Sequence, residues 1–333
     1  MNFINKYKKE ILVISLIFPL IINILCMMMF SLEFKYSILF ILTNFYYLLI
    51  FFTFLILKNL KQKKIARTPF QFIKRLNTTG DKNTGVGTGA IESNTEGDGN
   101  TALGYLALSE NTTGNVNTAV GRDALRLNTT AGYGVAMGYE TLEQNTTGAK
   151  NTGIGAQCLY SNTTGSDNIA FGKNALKANT TGSDNIASGF QSLDANTTGT
   201  SNIASGSGSL TNNTTGSYNI ASGQSSLSAN TTGSYNVASG HQSLISNTTG
   251  GHNTASGSLA MRSNTTGSYN VAFGRQAGYD ITTGTYNTII GYDADVSASG
   301  SINQIVIGKG ATGTTDNTVL LGNGSITNWL PTD

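Results

Sequence analysis

A seventeen-residue unit recurs without insertion along most of this chain, and any fold must accommodate it. The start Asn-Thr-Thr-Gly stands at Asn77, Asn111, Asn145, Asn162, Asn179, Asn196, Asn213, Asn230, Asn247 and Asn264, and variants fill the same frame at Asn94, Asn128 and Ile281. Thirteen consecutive units of one length are the signature of a stacked architecture in which each unit touches only its neighbours. Gly, Ser, Asn and Thr dominate, a composition that also suits disorder. A disordered tract, however, has no reason to keep an aliphatic residue at every seventeenth position.

One unit, Asn162 to Ala178, shows the local logic. Asn162-Thr163-Thr164-Gly165 is a cluster of turn formers. Asn168 to Gly172 is a short extended run, and Ala175-Leu176 adds an aliphatic position before the next turn. The unit is too short for a helix plus a strand, so two short strands and two turns are predicted per coil. Period-two alternation places Ile169 and Phe171 on one face and Ala170 and Gly172 on the other. The larger face is expected to fill the coil interior together with Leu125, Leu142, Leu176, Leu193, Leu210, Leu227 and Leu244. The small face, carrying Ala170, Gly172, Ala187, Gly189, Ala204 and Gly206, is then an outer strip suited to close packing against another copy of the chain; the alternative is that the glycines serve only a tight bend. No Pro occurs between Phe70 and Leu330, as an uninterrupted ladder requires.

The Asn-x-Ala-x-Gly strands, such as Asn168 to Gly172 and Asn270 to Gly274, resemble the head repeats of trimeric autotransporter adhesins and the similar repeats of phage tail fibres. The last rungs, Asn303 to Gly308 and Asn317 to Gly322, match best, and the resemblance covers about residues 77 to 324. It implies an all-β, left-handed parallel β-roll (a solenoid) that forms a homotrimer, with a surface receptor or glycan as partner. The unit is longer than the usual adhesin head repeat, and no C-terminal membrane barrel follows.

Ahead of the repeats, Ile11 to Phe30 and Ser37 to Leu57 are two largely apolar runs, each long enough to cross a bilayer as a helix. Residues 1–57 are therefore expected to form a two-helix transmembrane anchor preceding the solenoid. A cleaved signal peptide would need a shorter apolar stretch and a small-residue cleavage site. Lys6, Lys8 and Lys9 precede the pair of spans and a basic linker, residues 58–76, follows it. The positive-inside rule thus puts both termini on the cytoplasmic side, whereas the adhesin resemblance implies surface exposure. Residues 77–297 carry the repeats, and residues 298–333 are degenerate terminal rungs with Trp329 and Leu330 as a cap.

Nine of the 20 Lys/Arg but 16 of the 18 Asp/Glu lie in residues 77–333. This part of the chain therefore has a net charge of −7 and lacks the basic stripe that nucleic acid needs. No catalytic constellation is visible, so no enzyme activity, metal or cofactor is expected. Cys26 and Cys158 do not make a disulfide framework, and His241 and His252 occupy different positions in adjacent units, as surface variation would. The Asn-Thr-Thr triplets are also N-glycosylation sequons, although their turn role explains them without sugar. The sequence reading is a non-enzymatic, membrane-anchored rod or adhesin-like fibre. The alternatives are a carbohydrate- or water-binding solenoid and a cytoplasmic-side membrane scaffold.

Overall fold

The computed structural model describes residues 79–325. Fifteen three-residue strands, from β1 (Thr84–Val86) to β15 (Val319–Leu321), form one parallel sheet in sequential order. Register advances by one repeat per rung: Ile169↔Ile186 and Ala170↔Ala187 pair β6 (Ile169–Phe171) with β7 (Ile186–Ser188). Each unit thus closes one coil of a parallel β-solenoid. At about 4.8 Å per rung the sheet is roughly 65 Å long. The final pairing, Ile305↔Val319, closes a coil shorter than the others.

Each coil holds one strand, not two. The Ala175–Leu176 segment bonds to its neighbours as a ladder, with the Leu176 N–H donating to the Ser192 carbonyl at 3.0 Å and the Ala178 N–H to the Asp194 carbonyl at 2.9 Å. Its backbone alternates through left-handed positions, with φ of 60° at Asn174 and 52° at Leu176, which is not β geometry. Leucines at the same place in other coils share this conformation, from Leu108 to Leu244. A left-handed L-residue costs about 1–2 kcal/mol. Complete burial of a Leu side chain returns about 1.5–3 kcal/mol, and Leu176, Leu193 and Leu210 are all 0% exposed. Burial therefore offsets the backbone cost of the leucine itself in each of these coils.

The strand's period-two alternation is present with the opposite phase to that expected. Ala170, Ala187 and Ala204 point inward and are 0% exposed, whereas Ile169 is half-buried and Phe171 is 42% exposed. The reason is volume. In most coils two asparagines and one leucine already occupy the interior, leaving room for a methyl group opposite them. Asn162, Asn168, Ala170, Ala175 and Leu176 are all fully buried in one coil.

The core changes at the C-terminal end. The leucine column ends with Met261, and Gly278 occupies the next place. A Cβ on Gly278 would lie 3.2 Å from Ile281 Cδ1 and 3.6 Å from Ile289 Cδ1. These two isoleucines, both 0% exposed, fill the volume a leucine would have taken. The inward strand residue is accordingly larger in β13 (Thr288–Ile290) and β14 (Ile305–Ile307), being Ile289 and Val306 instead of Ala.

Candidate functional site

The glycines read as an outer contact strip belong to contacts within the chain. Gly172, Gly189 and Gly206 have φ of 122°, 142° and 133°. A Cβ on each would lie 2.6, 2.5 and 2.7 Å from the carbonyl oxygen of the corresponding glycine one coil on. The close backbone approach is therefore between successive rungs. With Ala170, Ala187 and Ala204 inside the coil, the small-residue strip is not a surface for a second copy. Leu125, Leu142, Leu176, Leu193, Leu210, Leu227 and Leu244 all lie in the core at 0–1% exposure. Trp329, Leu330 and the two apolar N-terminal runs lie outside the described residues. Among the described residues no helix is long and apolar enough to cross a membrane.

What the strand does present outward is apolar. Thirteen large aliphatic or aromatic side chains at the first and third strand positions, from Leu103 to Leu321, are 37–63% exposed. They run in two columns along the outer face of the sheet. Serines interrupt the third-position column from Ser188 to Ser256, beside Ile186, Ile203 and Ile220.

A third outward column holds aromatic rings. Tyr218, Tyr235, His252, Tyr269 and Tyr286 stack one above another, with centroids 4.8–5.0 Å apart and planes within 8° of parallel. His252 takes its place in this file as an exposed ring, at a position that earlier coils fill with Ser201 and Asp184. The ring faces cover one another, so the edges and hydroxyls meet solvent.

Two asparagine files run through the interior, and they were not anticipated from sequence. In the first, the Asn162 Nδ2 donates to Asn145 Oδ1 at 2.7 Å and to the Gly165 carbonyl at 2.9 Å. The Asn179 Nδ2 donates in turn to Asn162 Oδ1 at 2.7 Å. In the second, the backbone N–H of Asn185 donates to Asn168 Oδ1 at 3.0 Å, and the Asn185 Nδ2 reaches the Gly199 carbonyl at 2.9 Å. Such chains satisfy buried amides that would otherwise cost about 1–3 kcal/mol each. The first file ends at Asn264, whose Oδ1 has no partner, because Ile281 replaces the next asparagine. The available signal was that Asn recurs at both positions in nearly every unit, more strictly than a turn alone demands.

Many of the remaining hydroxyls bond to the chain's own backbone. Thr163 Oγ1 donates to the Thr180 carbonyl at 3.0 Å, and Ser183 Oγ accepts the Ser166 N–H at 3.0 Å. The second Thr of each pair, such as Thr164, is exposed. Cys158 is buried where other coils carry Ser, and its thiol donates to the Gly172 carbonyl at 2.6 Å. Burial pushes this thiol up to about 11, away from the thiolate form that reacts or binds metal. Among the described residues no group of three or more His, Cys, Asp or Glu is placed to hold a metal ion. No protein-family model, curated protein or solved structure matches the chain.

Proposed function

We propose that this chain is a non-enzymatic, membrane-anchored structural rod or adhesin-like fibre, in which three copies join through the outer faces of their sheets. The observation that carries this reading is the outward apolar face of the strands. All-parallel sheets occur almost only where both faces are covered. Here the chain's own coil covers the inner face and leaves the outer one open. Thirteen side chains at 37–63% exposure amount to on the order of 1,000 Å² of apolar surface, above the few hundred Å² usual on a monomer and near the ~800 Å² each partner of a stable complex buries. A second copy suits this face because its columns share the same rung spacing. Left-handed winding and the number three come from the resemblance to adhesin heads, and anchoring comes from the two apolar N-terminal runs.

The test is the mass of the full chain in mild detergent. We expect a trimer for the natural chain. Ile186→Glu with Ile203→Glu is expected to give a monomer with unchanged far-UV circular dichroism, because burying unpaired carboxylates at such a contact costs several kcal/mol. A monomeric natural chain, or a double variant that keeps its oligomeric mass, would contradict the proposal.

A second reading, glycan binding along the rod, is favoured by the exposed aromatic file. It is weakened by how many hydroxyls the chain uses internally.

A further inference from the structure

The sequons of the repeat are not equivalent once the chain is folded. Ten described Asn-Thr-Thr asparagines, from Asn111 to Asn264, are at most 1% exposed. In each, the amide nitrogen that would carry a sugar donates to the preceding asparagine of the file at 2.7–2.9 Å. A second bond runs from the same nitrogen to the carbonyl three residues on, at 2.9–3.0 Å. A glycan there would remove one of these donors and need space where the interior has none.

Asn212 differs. It begins an overlapping sequon, Asn212-Asn213-Thr214, and its side chain is exposed. The nearest coils place Ala178, Ala195 and Ala229 at this position, so the side chains immediately beside Asn212 in the column are small. Asn212 lies eight residues beyond the strand residue Ala204, about half a seventeen-residue coil away. It therefore faces away from the apolar strand columns, where a bulky group obstructs no contact between copies. Asn323, in Asn323-Gly324-Ser325, is also exposed, but its amide donates to the Lys309 carbonyl at 2.9 Å.

We infer that Asn212 is the N-glycan acceptor site among the described residues of the folded repeat array, and that the ten interior sequons accept sugar only in unfolded chain. In the transfer the Asn212 amide nitrogen bonds the anomeric carbon of a polyisoprenyl-diphosphate oligosaccharide. The anomeric carbon–oxygen bond breaks, the polyisoprenyl diphosphate leaves, and the amide gives up one proton. No oxidant or reductant is involved. Glycan on an interior asparagine and a closed coil at that position exclude one another.

The experiment treats the full chain, folded in mild detergent, with purified oligosaccharyltransferase and a lipid-linked oligosaccharide, and maps occupied sites by mass spectrometry. A synthetic peptide of residues 222–238 reports modification of the Asn230 sequon outside the fold. We expect glycan on Asn212 and none on Asn111 to Asn264 apart from it, while the peptide is modified at Asn230. Asn212→Gln should lose that glycan, and Ala229→Asn, which starts an equivalent overlapping sequon one coil on, should gain a new one. An unmodified Asn212 in folded chain would overturn the assignment. So would glycan on any interior sequon of chains that remain protease-resistant.

Discussion

Gly206→Ala is expected to destabilise the folded chain by about 3 kcal/mol or more, by combining backbone strain with overpacking. The added methyl would lie 2.7 Å from both C and O of Gly223, on a backbone with φ of 133°. Neither group can move alone, because the Gly206 N–H is held by the Ser188 carbonyl at 2.8 Å and the Gly223 N–H by the Ser205 carbonyl at 2.8 Å. The adjacent outward change Ser205→Ala should stay within about 0.5 kcal/mol. Urea unfolding at two well-separated protein concentrations makes the comparison. A loss that is the same at both concentrations places the glycine column between coils of one chain. A loss that depends on concentration would return it to a contact between copies.

The second large effect is expected at the point where the core changes its pattern. Ile281→Asn alone removes a fully buried side chain beside Gly278, and should cost about 2–5 kcal/mol, as other large-to-small core changes do. Gly278→Leu alone forces a side chain toward Ile281 and Met261, both 3.2 Å from the new Cβ, for about 1–3 kcal/mol of overpacking. The two changes together restore the leucine and the asparagine of the preceding coils, with Ile289 still standing in place of their inward alanine. Leucine occupies its usual inward place, at a φ of 65° close to that of the other leucines, and the new amide reaches the unpartnered Asn264 Oδ1. The double variant should therefore be less damaged than either single one, with a coupling energy above about 2 kcal/mol. Simple additivity would show that Ile281 does not stand in for the missing leucine.

The repeat frame, the turn at Asn-Thr-Thr-Gly and the buried leucine column were legible in the sequence, because each rests on spacing along the chain. The phase of the strand was not. Alternation divides Ile169 and Phe171 from Ala170 equally well either way, and size alone argued for putting the larger side chains inside. What decides it is the volume already taken by Asn162, Asn168 and Leu176, all at 0% exposure. Those asparagines satisfy one another only across coils, so a single unit gives no hint that they can be buried. The missing second strand has a related cause. Leu176 adopts a left-handed backbone because its burial and its bond to Ser192 outweigh the conformational cost, and strand propensity contains neither effect. The outward apolar face follows directly from the corrected phase, and with it the place where copies are proposed to meet.

The most direct test of the coil geometry is the distance between spin labels on the outward face, measured by pulsed electron paramagnetic resonance. Cys26 and Cys158 are first replaced by Ser, and labelled chains are diluted with unlabelled ones. Labels at Phe171→Cys and Phe273→Cys lie six coils apart and should be separated by about 29 Å along the rod at ~4.8 Å per rung. Moving the second label from Phe273 to Ile290 should lengthen the distance by about 4.8 Å, an increment in which the label tether cancels. Distances that fail to grow by one rung for each seventeen-residue step would contradict one closed coil per unit.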